Sequence, residues 1–189
     1  GGSETSALLD MIHAESERAS HLANQLLALA RAEPGSTIST NFTELDLRDL
    51  ATQAAQTWVP RALEKNIDLG FELDRAPVEG DTQLLRELLG NLIDNALLHT
   101  PAGGHVTVTT GSQSRTAFLQ VEDDGPGIPA AERERVLERF YRVPGTTREG
   151  GGLGLAIVKH IIEAHHEAVN VRSRESEGTT FSFTLRKVD

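Results

Sequence analysis

The chain has 189 residues, a formal net charge of −10 and no cysteine. That length suffices for one well-formed hydrophobic core with an appended element. The acidic balance argues against nucleic-acid binding, which needs a basic face, and the lack of cysteine excludes disulfides and thiolate metal sites. No apolar run reaches the roughly 20 residues that span a bilayer, so we expect this fragment not to lie in a membrane.

The first segment predicts one long helix, because residues 4–32 contain neither glycine nor proline. Apolar residues at alternating three- and four-residue steps are typical of a bundle or coiled coil. Since such a seam must be covered, we expect a partner helix from a second chain. The run Pro34-Gly35-Ser36 then predicts a hinge. The seam consists of Leu8, Ile12, Ala19, Leu22, Leu26 and Leu29.

Beyond the hinge, periodicity and turn residues predict alternating strands and helices. Asp46 and Asp81 stand where each would cap the helix that follows. The first of those helices should bury Leu50, Ala54, Trp58 and Leu63. Strands are predicted over 42–45, 67–73, 77–79, 106–109, 117–121, 169–172 and 180–185, with a hairpin turn at Gly111-Ser112, and helices over 47–65, 84–99, 131–139 and 153–165. The sum is an α+β fold: a two-layer α/β sandwich with a mixed, mainly antiparallel sheet covered on one face by helices, preceded by one long N-terminal helix.

The helix over 84–99 carries Asn91 and Asn95 one turn apart at the edge of its apolar arc. Arg86, Glu87, Gly90 and Asp94 fall on its solvated side. An unpaired buried amide costs about 1–3 kcal/mol, so both side chains need partners. Either they bond backbone in the core, or they line a pocket and meet a metal–phosphate ligand. This helix alone leaves both readings open.

Two glycine-rich stretches complete the set of candidate binding segments. Asp123–Pro129 directly follows a predicted strand, and Gly150–Leu155 opens a helix whose free N–H groups would suit phosphate. Leucine at position 155 excludes the dinucleotide fingerprint, and no P-loop sequence occurs. Each stretch alone is a weak signal.

In chain order the two asparagines, these two stretches and Gly178-Thr179-Thr180-Phe181 form one motif series. From Asp46 to its end the chain resembles the ATP-binding catalytic domain of two-component sensor histidine kinases, within the gyrase/Hsp90/histidine kinase/MutL superfamily. Glu138–Arg142 resembles the family's phenylalanine box, and residues 4–33 resemble the second helix of its dimerisation and phosphotransfer hairpin.

The resemblance implies a role for each motif. Asn95 should coordinate Mg²⁺ with Asn91 assisting, Asp124 should accept from the adenine amine, and residues 144–151 should form a lid over ATP. No catalytic residue is identified. The implied nucleotide-binding residues are Asn91, Asn95, His99, Asp124, Gly125, Gly127, Ile128, Phe140, Tyr141, Arg142, Gly150, Gly152, Leu153, Gly154, Leu155 and Thr180.

Three features of the chain depart from the family pattern. Leu98 stands where the family usually has a basic residue, and His166-Glu167 replaces a Gly-Gly pair, which predicts a strained helix end. The family's phosphoacceptor motif, His-Glu-x-x-Ser/Thr-Pro, does not occur. We therefore expect no autophosphorylation in cis.

These observations predict three segments: an incomplete hairpin helix (1–33), a hinge and first strand (34–45), and an ATP-binding catalytic domain (46–189). The resemblance implies transfer of the ATP γ-phosphoryl to a histidine and thence to a response regulator aspartate. It further implies a homodimer through the hairpin helices and the cytoplasmic portion of an inner-membrane sensor. Alternatives are a degenerate nucleotide-sensing or regulator-binding module, or a gyrase- or Hsp90-like ATPase. The latter place a glutamate where Asn91 stands, which favours transfer over hydrolysis.

Overall fold

A computed structural model describes residues 41–144 and 152–188. The predicted N-terminal helix, the hinge, most of the lid and Gly150 lie outside the described residues. Within them the chain forms three α-helices and seven strands. The helices are α1 (Leu47–Glu64), α2 (Thr82–His99) and α3 (Gly154–Ala164). The strands are β1 (Phe42–Asp46), β2 (Asp68–Leu73), β3 (Pro77–Asp81), β4 (His105–Gln113), β5 (Thr116–Asp123), β6 (Asn170–Arg174) and β7 (Gly178–Arg186).

The main sheet has five strands in the order β2-β4-β5-β7-β6. The pair β2–β4 is parallel, and the other three pairs are antiparallel. Strands β1 and β3 form a separate antiparallel pair. The predicted mixed, mainly antiparallel sheet is therefore confirmed.

One face of the sheet is buried against the helices. Val108, Val121 and Phe181 lie side by side on β4, β5 and β7, and all are buried. Because side chains alternate along a strand, the residues between them point to the opposite face. Gln120 and Ser182, paired there, are only partly buried. The predicted two-layer arrangement follows, with α2 contributing Leu85, Leu88, Leu89, Leu92 and Ile93 to the core.

Both predicted N-caps are confirmed. Asp46 Oδ1 accepts the backbone N–H of Arg48 at 3.0 Å, and Asp81 Oδ1 accepts those of Gln83 and Leu84 at 3.0 Å. Such a cap contributes about 1 kcal/mol to helix stability. The end of α3 carries the strain expected without glycine, because His166 has a φ of +61°. A left-handed non-glycine residue costs about 1–2 kcal/mol.

Three local predictions were wrong. Leu63 is 70% exposed, and Ala62 is the buried residue in the last turn of α1. The β4–β5 hairpin turns at Ser114 (φ +55°), so Gly111 remains inside β4, against the Phe118 ring. The predicted helix over 131–139 is instead two short 3₁₀ turns, Ala130–Glu132 and Arg135–Leu137. With Val136 as their buried residue, these turns lack the apolar stripe that stabilises a longer helix.

Candidate functional site

The middle of α2 presents the two asparagines. Asn91 is 3% exposed and Asn95 is partly exposed. The Asn91 Nδ2 group donates to the backbone oxygen of Glu87 at 2.9 Å, with Glu87 Oε1 at 3.4 Å. Glu87 is therefore not on the solvated side where the helical wheel put it, but half-buried beside Asn91. The Nδ2 end of the Asn91 amide is thus bonded to backbone, and the Oδ1 end points away from that contact.

The Oδ1 end of Asn91 faces the start of α3. A Cβ placed on Gly154, the first residue of α3, would lie 3.1 Å from Asn91 Oδ1. Among the described residues, no side chain caps this helix at its N-terminus. The first N–H groups of an uncapped helix and its positive dipole end suit an anion. An amide oxygen and the uncapped end of a helix therefore meet at one place.

Phe140 lies against Gly152, two residues before α3 begins. The Phe140 N–H donates to the Gly152 oxygen at 2.8 Å, and Gly152 has a φ of +64°. Phe140 itself is 71% exposed and has a φ of +61°. The Tyr141 hydroxyl donates to Glu132, and the Arg135 guanidinium lies 4.1 Å from the Tyr141 ring centroid. These contacts connect Phe140 and Tyr141 to Gly152 and to the two 3₁₀ turns.

At the end of β5 the two adjacent aspartates have different surroundings. Asp123 is 6% exposed, and its Oδ1 accepts the Gly125 N–H at 2.9 Å. Burial raises the pKa of Asp123 to about 6, although hydrogen bonds from the backbone of Gly125 and Thr179 act in the opposite direction. Counted back from Gly125 and Gly127, Asp123 is also the first residue of an Asp-x-Gly-x-Gly pattern.

Asp124 points elsewhere. Its side chain is 47% exposed and accepts the His105 N–H at 2.8 Å and bonds His105 Nδ1 at 2.9 Å. Partial burial alone would raise the pKa of Asp124, but the hydrogen bonds and charge of His105 outweigh it and lower that pKa. The same contact raises the pKa of His105. Asp124, which was predicted to accept from the adenine amine, is thus the exposed member of the pair, and Asp123 is the buried one.

A buried polar cluster lies beside Asp123. Thr179 pairs with Asp123 across β5 and β7 and is buried. The Ser173 hydroxyl contacts Thr179 Oγ1 at 2.9 Å and accepts the Ile128 N–H at 2.7 Å. The predicted Thr180 has the opposite orientation: it pairs with Glu122 on the face away from the helices, with Thr180 Oγ1 3.4 Å from Glu122 Oε2. Side chains alternate along a strand, so Thr179 shares the helix-covered face with Phe181 and Thr180 does not.

Two glycines in this region are required by close backbone approach. Gly127 has a φ of +72°, and a Cβ there would lie 1.9 Å from the Arg174 oxygen. Gly178 has a φ of +95°, and its Cβ would lie 1.9 Å from the Asp123 oxygen. No side chain fits at such distances, so these glycines fasten the turn after β5 to the β6–β7 hairpin.

The remaining predicted residues divide between packing and exposure. Ile128 and Leu155 pack against the core, and Leu153 is buried in it. Arg142 is exposed. The C-terminal end of α2 lies against the turn that follows β5, because a Cβ on Gly125 would lie 3.1 Å from the His99 backbone oxygen.

Helix α2 thus joins two chemically different ends of one site. Its C-terminus adjoins Gly125, beside buried Asp123, and its middle adjoins Gly154. From His99 back to Asn91 the helix rises roughly 12 Å. A ligand bound along it would meet a buried carboxylate at one end and amide oxygens with helix N–H groups at the other. That arrangement fits a nucleotide, with its base at the first end and its phosphates at the second.

The second end also has the right chemistry for a magnesium ion. Mg²⁺ prefers oxygen ligands and takes few from the protein when phosphate oxygens are present. Asn91 and Asn95 supply amide oxygens of this kind. Among the described residues no group of three or more His, Cys, Asp or Glu could hold a metal. The fit therefore depends on phosphate oxygens completing the coordination.

The family described as histidine kinase-, DNA gyrase B- and HSP90-like ATPase matches residues 80–189. The chain is 36% identical to the sensor protein kinase PmrB of Pseudomonas aeruginosa over 90% of the chain and 36% of that protein. The structure of full-length ShkA in complex with AMPPNP is 29% identical with a TM-score of 0.77, covering 95% of this chain and 39% of that one. The histidine kinase ThkA in complex with the response regulator TrrA is 25% identical with a TM-score of 0.74, covering 95% and 50%.

The chain therefore belongs to the histidine kinase-, DNA gyrase B- and HSP90-like ATPase family. Within that family its homologues are sensor histidine kinases, and it is a histidine kinase catalytic domain. It spans about a third of the length of curated relatives such as PmrB. Across the residues that the structure describes, no helix has both the length and the apolar character needed to cross a membrane.

Proposed function

We propose that this chain binds ATP with Mg²⁺ along α2 and supplies the catalytic half of a protein-histidine kinase reaction. In that reaction the bond between the γ-phosphoryl group of ATP and the ADP leaving group breaks, and the phosphoryl group forms a bond to a ring nitrogen of a histidine. The histidine then passes it to an aspartate of a response regulator receiver domain. The observation that carries the proposal is the meeting of Asn91 Oδ1 with the uncapped start of α3.

At the phosphate end the protein's task is positioning and charge neutralisation, which is what phosphoryl transfer asks of an enzyme. Asn95 would hold the metal through its amide oxygen, and Asn91 would assist from the preceding turn. The backbone N–H groups from Gly152 to Leu155, with Gly150 ahead of them, receive phosphate oxygens. Mg²⁺ supplies charge neutralisation there. No side chain of the described residues is assigned as a general base.

At the adenine end we assign the acceptor role to Asp123 in place of Asp124, because Asp123 is buried on the helix-covered face and Asp124 is bound to His105. A carboxylate there accepts from an exocyclic amine. For the same reason Thr179 replaces Thr180. Gly125 and Gly127 bring the backbone close to the base, with His99 and Ile128 at its edge.

The partners follow from the proposed reaction. Residues 1–33 serve as one hairpin helix and pair with a second copy, residues 34–45 connect them, and residues 46–189 form the catalytic domain. ThkA, to which this chain is similar, is in complex with a response regulator, which supports a receiver domain as the downstream partner. The domain works on the cytoplasmic side of an inner-membrane sensor.

Nucleotide binding is tested first, by calorimetric titration with ADP in the presence and absence of Mg²⁺. Asn95→Ala should weaken Mg²⁺-dependent binding about 10- to 100-fold, the range of a lost interaction with a charged group. Asn170→Ala, an exposed asparagine on β6, is the matched control and should leave binding unchanged. No ADP binding by the unaltered chain would overturn the proposal.

Phosphoryl transfer is tested by supplying a hairpin protein that carries the phosphoacceptor histidine in trans. With γ-labelled ATP, the label should appear on the hairpin, survive alkali and be lost in acid, and Asn95→Ala should abolish it. Release of inorganic phosphate without labelling of the hairpin would contradict the kinase assignment in favour of hydrolysis.

A further inference from the structure

We propose that Glu87 is a positioning residue for the metal–phosphate end of the site, an inference that rests on the proposed function. Glu87 lies one turn before Asn91 on α2, so the two side chains share a face of the helix. Its carboxylate, together with its backbone oxygen, holds the donor end of the Asn91 carboxamide. The carboxylate also adds negative charge next to the place where the metal would bind.

The geometry concerns which end of the Asn91 amide faces the ligand. An asparagine side chain has a donor end and an acceptor end of nearly equal shape. The donor end is occupied by two acceptors of Glu87, the backbone oxygen at 2.9 Å and Oε1 at 3.4 Å. Only the acceptor end, Oδ1, can then face Gly154 and the start of α3. Reversal would place the amide N–H₂ group against helix N–H groups.

The charge of Glu87 points the same way. Its side chain is half-buried, and none of the ion pairs within residues 41–144 and 152–188 includes it. The 3.4 Å contact from Asn91 Nδ2 is a neutral donor and does not compensate the charge of a partly buried carboxylate. A divalent cation arriving with the nucleotide would supply the missing charge at short range.

This role predicts an effect on the coupling between metal and nucleotide, rather than on nucleotide binding as such. In Glu87→Gln the charge is lost while an amide oxygen can still accept from Asn91 Nδ2, whereas Glu87→Ala removes both the charge and the side-chain acceptor. The factor by which Mg²⁺ tightens ADP binding should fall about 5- to 10-fold, within the usual range of coupling energies. The affinity for ADP without metal should change less than about twofold, because the adenine end is untouched.

The experiment is calorimetric titration of the intact chain with ADP, with and without Mg²⁺, for Glu87→Gln and Glu87→Ala. Glu79→Gln, which removes the same charge from an exposed residue of β3, is the matched control. Urea unfolding of each variant gives its stability.

A purely structural role for Glu87 would weaken ADP binding equally with and without metal, and that result would overturn the inference. An unchanged coupling factor in both Glu87 variants would overturn it as well, while ADP binding by the unaltered chain keeps the proposed function intact. No ADP binding by the unaltered chain would overturn both.

Discussion

The two ends of the proposed nucleotide site are formed by different kinds of groups. At the adenine end, Asp123 and Thr179 are buried polar side chains, and Gly127 and Gly178 allow backbone segments to touch. At the phosphate end, Asn91 and the start of α3 approach through a side-chain oxygen and helix N–H groups. The first end is part of the fold itself, whereas the second adds functional groups to elements that would pack without them.

This contrast separates stability from binding. Close backbone contacts at the adenine end leave no room for a larger residue, so most substitutions there cost folding free energy. Asp123 is the exception, because its charge is buried at a cost and its shape is retained by asparagine. Substitutions at the phosphate end should cost binding and little stability.

The largest effect is expected from Asp123→Asn, which should weaken ADP binding about 100-fold or more. The new side chain has one acceptor, and either the Gly125 N–H or the adenine amine must face its N–H₂ group instead. Calorimetry measures the loss, and circular dichroism checks the fold. Asp124→Asn, the neighbouring control, should change the affinity less than about threefold. The reverse order would restore the assignment made from the sequence.

Asp123→Asn, which should weaken ADP binding, should at the same time make the folded chain more stable at neutral pH. Because the folded-state pKa of Asp123 is raised from 3.8 to about 6, its titration stabilises the fold below pH 3.8 and that contribution is lost as the pH rises through 6. The free energy of unfolding of Asp123→Asn, relative to the unaltered chain, should therefore rise by on the order of 2–3 kcal/mol between pH 4 and pH 8. Urea unfolding at the two pH values measures it. A difference that does not vary with pH would contradict the buried carboxylate.

An intermediate effect is expected from Gly154→Ala at the phosphate end. The new methyl group would lie 3.1 Å from Asn91 Oδ1 and displace it, so binding of ADP with Mg²⁺ should weaken about 3- to 10-fold, as loss of a single hydrogen bond would cause. Thermal unfolding should be little changed. Gly70→Ala is the matched control, since its nearest neighbour is the Thr107 hydroxyl at 3.9 Å. Equal affinities for the two variants would argue against the approach of α2 and α3 as the phosphate site.

The smallest effect is expected from substitutions of two adjacent threonines, which test which of them lies beside the bound adenine. Thr179→Val should weaken ADP binding several-fold because it removes a hydroxyl from the buried cluster with Ser173. Thr180→Val, on the open face beside Glu122, should change it less than about twofold. Titration of both variants under the same conditions decides, and a larger loss in Thr180→Val would place the base on the other face of the sheet.

Much of the fold could be predicted because its signals are local. Asp46 and Asp81 cap the helices that follow them, and the two-residue alternation of β4, β5 and β7 gave their existence and type. Turn positions were harder, because Gly111 is an equally good turn residue in isolation, yet its space is taken by the Phe118 ring within the hairpin. The burial predicted for Leu63 was wrong because helix periodicity does not reveal at which residue the end of a helix ceases to pack against the core.

The sequence by itself determined the order of the motifs and the family, since each depends on residue type and spacing along the chain. Only the tertiary structure decided which of Asp123 and Asp124 is buried. It also decided that Asn91 faces Gly154. The physical reason is that burial and amide orientation are set by neighbours from other elements, whose positions are fixed only when the helices pack on the sheet.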